Sequence, residues 1–201
     1  MQQKTGDGAP DSAAGPPHAL ALLAGQALLM TAAGVGLWLL SRRSLDGFIT
    51  FSWAQTATGI VFAAALIAVA ATLFRAFPET SERLIRLQSD TYRFLGPQLS
   101  WPAIVAISLC AGISEEAALR AGLQTLLGDS LGPVAAIAVS SAVFAALHLA
   151  KPVITGLLFG IGILFGAVYW QTGSLLAVMI AHVLYDAWAL RHINREMHGL
   201  G

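Results

Sequence analysis

Charge is what this sequence holds least of: Asp, Glu, Lys and Arg make up 11% of its 201 residues, and eleven basic against eleven acidic side chains leave no net charge. Without a basic field to neutralise phosphates, nucleic-acid binding is disfavoured. Cysteine is nearly absent as well. Cys110 has no second cysteine to pair with, and beside Ile107, Ser108 and Leu109 it reads as a small packing residue within a helix. No HExxH occurs, so the i,i+4 histidine pair that marks a zinc protease is missing. A serine protease of the rhomboid type needs a GxSG-like turn, but Gly112-Ile113-Ser114 runs into Glu115 rather than a small residue.

What fills the chain is apolar. Hydrophobic residues account for 56%, 20 glycines come on top of that, and the mean hydropathy is +0.70. Soluble domains hold about 45–50% apolar residues with glycine included. The composition therefore places the chain among membrane proteins rather than soluble globules, and its long apolar runs make the expected fold an all-α polytopic membrane bundle.

Residues 1–17 are rich in Gly, Pro and small polar side chains and read as a disordered N-terminal tail. Two charge-free stretches follow, His18 to Leu40 and Ser52 to Phe74, each long enough to cross about 30 Å of hydrocarbon. Residues 75–97 differ: Arg75, Arg83, Arg86 and Arg93 alternate with Leu84, Leu87, Thr91, Phe94 and Leu95 at helical spacing, which predicts an interfacial amphipathic helix ended by Gly96 and Pro97. Residues 18–98 thus form an N-terminal unit of two spans and an amphipathic loop.

Four more apolar segments occupy the core at residues 99–192, Leu99 to Leu127, Leu131 to Ala150, Pro152 to Trp170 and Ser174 to Leu190, with a tail at 193–201. With the two N-terminal stretches they make about six spans, the four being separated by short turns such as GDS, KP and QTG. With both termini in the cytoplasm, most Lys and Arg fall inside and only Arg42 and Arg43 outside, which favours that orientation in a plasma membrane, the bacterial inner membrane for so compact a chain. Gly156, Gly160, Gly162 and Gly166 supply two small-xxx-small pairs, expected to pack helices within the monomer.

Charge survives in these spans at a few places only: Glu115, Glu116 and Arg120 on the third, Asp186 beside His182 on the sixth, with His148 on the fourth. Unpaired, the four charged residues would cost on the order of 10 kcal/mol, so they should face one another in a polar cavity. Glu116 with Arg120, Phe144 with His148, and His182 with Asp186 are each four residues apart and share a helix face.

These residues carry a resemblance. Glu115-Glu116-Ala-Ala-Leu-Arg120, Phe144-Ala-Ala-Leu-His148 and His182-Val-Leu-Tyr-Asp186 resemble the EExxxR, FxxxH and HxxxN/D motifs of the CPBP family of glutamic intramembrane endopeptidases, which includes type II CAAX prenyl proteases and bacteriocin self-immunity proteins. The three motifs occur in the family's order over residues 99 to 190. The resemblance implies hydrolysis of a peptide bond in a membrane-embedded, apolar-tailed or prenylated substrate, by a water that Glu115 and His148 hold and activate together.

Peptide hydrolysis needs a base for water and a donor for the oxyanion, and a carboxylate in a low-dielectric pocket can serve as that base. Glu115 is the expected base, His148 the proton relay and His182 the oxyanion donor. Asp186 stands where the family often has Asn, whose amide can donate; a carboxylate cannot unless protonated, so Asp186 is expected to orient His182 or tune its charge. Glu116 and Arg120 are expected to hold the helix face and balance charge, and Phe144 to pack beneath the site. No cofactor is expected, with zinc on Glu115, His148 and His182 as a lesser alternative.

An aspartyl mechanism lacks a second aspartate facing Asp186, and transport lacks an evident inverted repeat. A non-catalytic immunity or adaptor protein is the reading from a different class, and it predicts that Glu115→Gln keeps function. Counted from Trp101, Glu115 lies deep while His148 lies near the Lys151 turn. That separation calls for a break near Pro102 or Gly112, a strong tilt, or a cavity reaching in from the cytoplasmic face.

Overall fold

A computed structural model of the chain describes residues 16–93 and 99–197. Among them every regular element is helical: α1 (Pro16–Leu40), α2 (Trp53–Ala76), α3 (Pro78–Arg93), α4 (Trp101–Glu116), a π-helical stretch (Ala117–Gln124), α5 (Thr125–Leu131), α6 (Pro133–Leu147), α7 (Pro152–Thr172) and α8 (Leu175–Met197), with one 3-10 turn at Leu45–Gly47. The tail expected at 1–17 falls outside the described residues except for Pro16 and Pro17, which open α1. Phe94 to Pro97, expected to complete the amphipathic helix, also lie outside them.

Local chemistry sets the helix ends. Ser52 and Ser100 accept hydrogen bonds from the amides of Gln55 and Ala103, capping α2 and α4. Pro102, Pro133 and Pro152 sit in first turns, where a missing N–H costs nothing. Gly132, at φ 77°, makes the sharp reversal between α5 and α6. The GDS sequence is accordingly not a turn: Gly128, Asp129 and Ser130 are helical, and the third apolar segment runs unbroken from Trp101 to Leu131. At the other end α8 continues to Met197, so Ile193 to Met197 are helix rather than tail.

Leu20–Leu40, Trp53–Ala76, Trp101–Leu131 and Pro152–Thr172 are long and apolar enough to cross a membrane by length and composition. α6 is shorter, and α8 carries Asp186, Arg191, Arg195 and Glu196; both pack into the same bundle. The protein is a helical membrane bundle in which α8 lies against α2 and α4, α6 pairs with α7, and α1 crosses the π-helical stretch and α4.

Glycines permit these close crossings. A Cβ on Gly59 would stand 2.6 Å from the Ala177 carbonyl oxygen of α8, and one on Gly34 would overlap the Ala117 carbonyl. Of the two small-residue pairs on α7, Gly162 and Gly166 pack against Ser141 and Gln124 within the chain. Gly156 and Gly160 face open space instead.

The depth conflict disappears once distances are counted from Gly132. At 1.5 Å per residue, Glu115 lies about 24 Å from Leu131 and His148 about 22 Å from Pro133, so the two arms of this helical hairpin bring them level. The third helix is intact at both Pro102 and Gly112. Its irregularity comes later, at Ala117–Gln124, where the Thr125 hydroxyl bonds the Arg120 carbonyl five residues back. Wider turns of this kind recur at functional sites.

Candidate active site

His182 is the centre of the polar cluster. Its Nδ1 lies 2.9 Å from Glu116 Oε1, while Nε2 faces Asp186 Oδ2 at 3.5 Å and Glu115 Oε2 at 3.9 Å. A carboxylate only accepts, so Nδ1 carries a proton and donates it to Glu116. Three carboxylates from two helices therefore surround one imidazole whose side chain is 7% exposed.

The local sequence explains the arrangement. Glu115 and Glu116 are adjacent at the last turn of α4, where about 100° of helical rotation separates neighbours, so one turns toward the cavity and the other into the bundle. Glu116 is 1% exposed and its Oε2 stands 3.4 Å from Arg120 Nε, an ion pair without hydrogen-bond alignment. Arg120 is wholly buried, and its guanidinium carbon sits 5.5 Å from the centre of the Phe144 ring. The π-face of Phe144 supplies part of the stabilisation that water would otherwise give this cation.

Phe144 touches more than one member of the cluster. Its ring lies 4.7 Å from that of His148 and 6.1 Å from that of His182, and Phe165 of α7 lies 5.3 Å from His182 on another side. His148 caps α6, is exposed, and donates Nδ1–H to the Phe144 carbonyl at 2.8 Å, because a carbonyl can only accept. In the neutral ring this leaves the Nε2 lone pair free to hold a water. Glu115 and His148, from different helices, line one cavity of about 280 Å³. Glu115 Oε2 is itself buried without a hydrogen-bond partner.

All seven residues singled out in the sequence, Glu115, Glu116, Arg120, Phe144, His148, His182 and Asp186, are thus linked by contacts or by the shared cavity. Asp186 approaches His182 at Nε2, so the carboxylate that fixes Nδ1 is Glu116. Sequence reasoning missed the contribution of α1, whose Gln26 and Met30 complete the cavity wall. A lone amide in the apolar run from His18 to Leu40 was the legible signal. Gln124 was missed too: buried, it donates to the Gly166 carbonyl and accepts from Ser140.

Other polar groups near the cluster have local tasks. Ser114 donates to the Cys110 carbonyl one turn back. His192, given no role from sequence, stacks with Trp188 and Phe74 at the far end of α8. Among the described residues no three His, Cys, Asp or Glu side chains are grouped to hold a metal ion.

Residues 97–188, nearly half the chain, match the family model of the type II CAAX prenyl endopeptidases, Rce1-like. The match spans all three motifs and ends just after Asp186. Comparison with curated proteins and with solved structures gives no match.

Proposed function

We propose that this chain is an intramembrane endopeptidase in which a water held between Glu115 and His148 attacks the peptide bond of a membrane-embedded or lipid-tethered substrate. The observation that carries this reading is the shared cavity: a carboxylate and an imidazole from different helices, level in the bundle, line one space of about 280 Å³.

Glu115 takes a proton as the water oxygen bonds to the scissile carbonyl carbon, and the carbonyl π pair moves to oxygen. His182 donates Nε2–H to that oxyanion while Glu116 holds Nδ1, leaving the ring oriented for one task. The intermediate then collapses, the C–N bond breaks, and the proton gained by the Glu115–His148 pair passes to the leaving amine. A carboxylate and an amine are the products. Asp186, beside Nε2, orients the donor and sets the charge around it; Glu116 and Arg120 neutralise each other beneath.

The substrates are peptides with an apolar tail, a transmembrane segment or a prenylated C-terminus, since only these reach a cavity among membrane helices. Both termini lie in the cytoplasm, and the site opens nearer that face, toward the Lys151 turn.

The test is cleavage of membrane-tethered peptides, prenylated and unprenylated, by the purified protein. Glu115→Gln, His148→Ala and His182→Ala should each lose activity by orders of magnitude, and chelator should leave the wild type unchanged. Chelator-sensitive cleavage with metal bound would replace this mechanism by a zinc one. Full cellular function in all three variants, with no cleavage by wild type, would make this a binding protein.

A further inference from the structure

The cavity that Glu115 and His148 line has a wall outside the three motifs and outside the family-matched segment. Gln26 and Met30, one turn apart on α1, face it together with Leu119 and Leu147. Gln26 is exposed, within a stretch apolar enough to cross the membrane. Its Nε2 lies 3.8 Å from Met30 Sδ, and a thioether is a weak acceptor. Among the described residues no oxygen or nitrogen meets the amide, a costly state for a polar group in hydrocarbon.

Level and chemistry both point to an occupant. α1 ends at Leu40, whose following loop is tied to α5 by Arg43 and Asp129. Counted from that end, Gln26 lies about 21 Å along α1, level with Glu115 and His148 at about 24 and 22 Å. A peptide drawn into this space leaves water with unpaired backbone N–H and C=O groups, and each needs a partner. A primary amide supplies a donor and an acceptor together, as a neighbouring strand would.

We infer that Gln26 is a substrate-binding residue: its amide hydrogen-bonds the backbone of an extended peptide beside the scissile bond, while Met30 and Leu147 receive the adjoining apolar side chain. Unbranched Met suits a wall that must accept more than one shape. The inference rests on the reading of Glu115 and His148 as the water-activating pair.

The experiment compares wild type with Gln26→Leu, full chain in lipid nanodiscs, on an apolar-tailed peptide that the wild type cleaves. A series of the same peptide N-methylated at single amides around the scissile bond completes it. Losing one backbone hydrogen bond made equally in ground and transition states should raise KM about tenfold with kcat little changed. One N-methylated peptide should cost the wild type about tenfold and cost Gln26→Leu nothing more.

Equal kcat/KM in both proteins overturns the inference while leaving the protease reading intact. N-methyl penalties identical in both proteins do the same. A smaller oligomer in Gln26→Leu, with unchanged KM, would assign the amide to contact between two copies instead. A wild type that cleaves none of the peptides, prenylated forms included, overturns the protease reading and this inference with it.

Discussion

Gly112 of α4 lies directly against Val183 of α8: a Cβ built on the glycine would stand 2.7 Å from Val183 Cγ2 and 2.8 Å from the Val183 backbone nitrogen. Gly112 is one turn before Glu115 and Glu116, and Val183 follows His182. This close approach of the two helices sets the carboxylates against the imidazole.

From that contact, Gly112→Ala should force the helices apart, lowering stability by about 1–3 kcal/mol as overpacking does and activity at least about tenfold. Gly156→Ala is the matched control, since nothing lies within 4 Å of its added Cβ. It should be neutral or gain a few tenths of a kcal/mol from helix propensity. Thermal unfolding in detergent beside peptide cleavage checks both; equal behaviour of the two variants would remove the close crossing as the cause.

The buried ion pair gives a second test. Arg120→Met or Glu116→Gln alone leaves an uncompensated charge with side-chain exposure of 1% or less, and should destabilise by about 3–5 kcal/mol. The double variant should recover much of that stability, because the two charges vanish together. Activity should stay low in the double variant, since a neutral amide in place of the Glu116 carboxylate holds His182 more weakly. Additive losses of stability in the double variant would contradict the pairing.

Asp186 faces Nε2 of His182 at 3.5 Å, while Glu116 holds Nδ1. Asp186→Asn keeps the shape and adds an amide donor at the place where an oxyanion would form. Cleavage should remain within about tenfold of wild type, while Glu115→Gln falls by about 10²-fold or more. If Asp186→Asn is as inactive as Glu115→Gln, the carboxylate itself takes part in the reaction.

Arg43 meets Asp129 through two hydrogen bonds of 2.7 and 2.9 Å, with the side chains 38% and 48% exposed. Exposed pairs contribute little, so Asp129→Asn should lower stability by no more than about 1 kcal/mol, less in high salt, with cleavage unchanged. A large loss of activity would show that this loop contact governs the site. The same region reports orientation: with Cys110 replaced, a cysteine introduced in place of Arg42 should react with an impermeant reagent from outside the cell, and one in place of Arg195 only after permeabilisation. The reverse pattern would invert the proposed topology.

The sequence alone determined that this chain is a helical membrane bundle, because apolar runs of about 20 residues have few other solutions in water or lipid. It also singled out the polar cluster, because charge in hydrocarbon is too costly to be incidental and the i,i+4 spacings of Glu116 with Arg120 and His182 with Asp186 follow from helix geometry.

The contacts between helices were not legible. That Glu116 rather than Asp186 holds Nδ1 of His182 depends on the rotation of α4 against α8, which the Gly112–Val183 crossing decides. That Glu115 and His148 share a level depends on Gly132 being the whole turn, where the sequence suggests a longer one at Gly128 to Ser130. The π-helical stretch after Glu116 leaves no mark in apolar periodicity, since α1, α6, α7 and α8 pack around it and all its residues but Leu123 are buried. Spacing fixes which side chains share one helix face; packing of one backbone on another decides which faces meet.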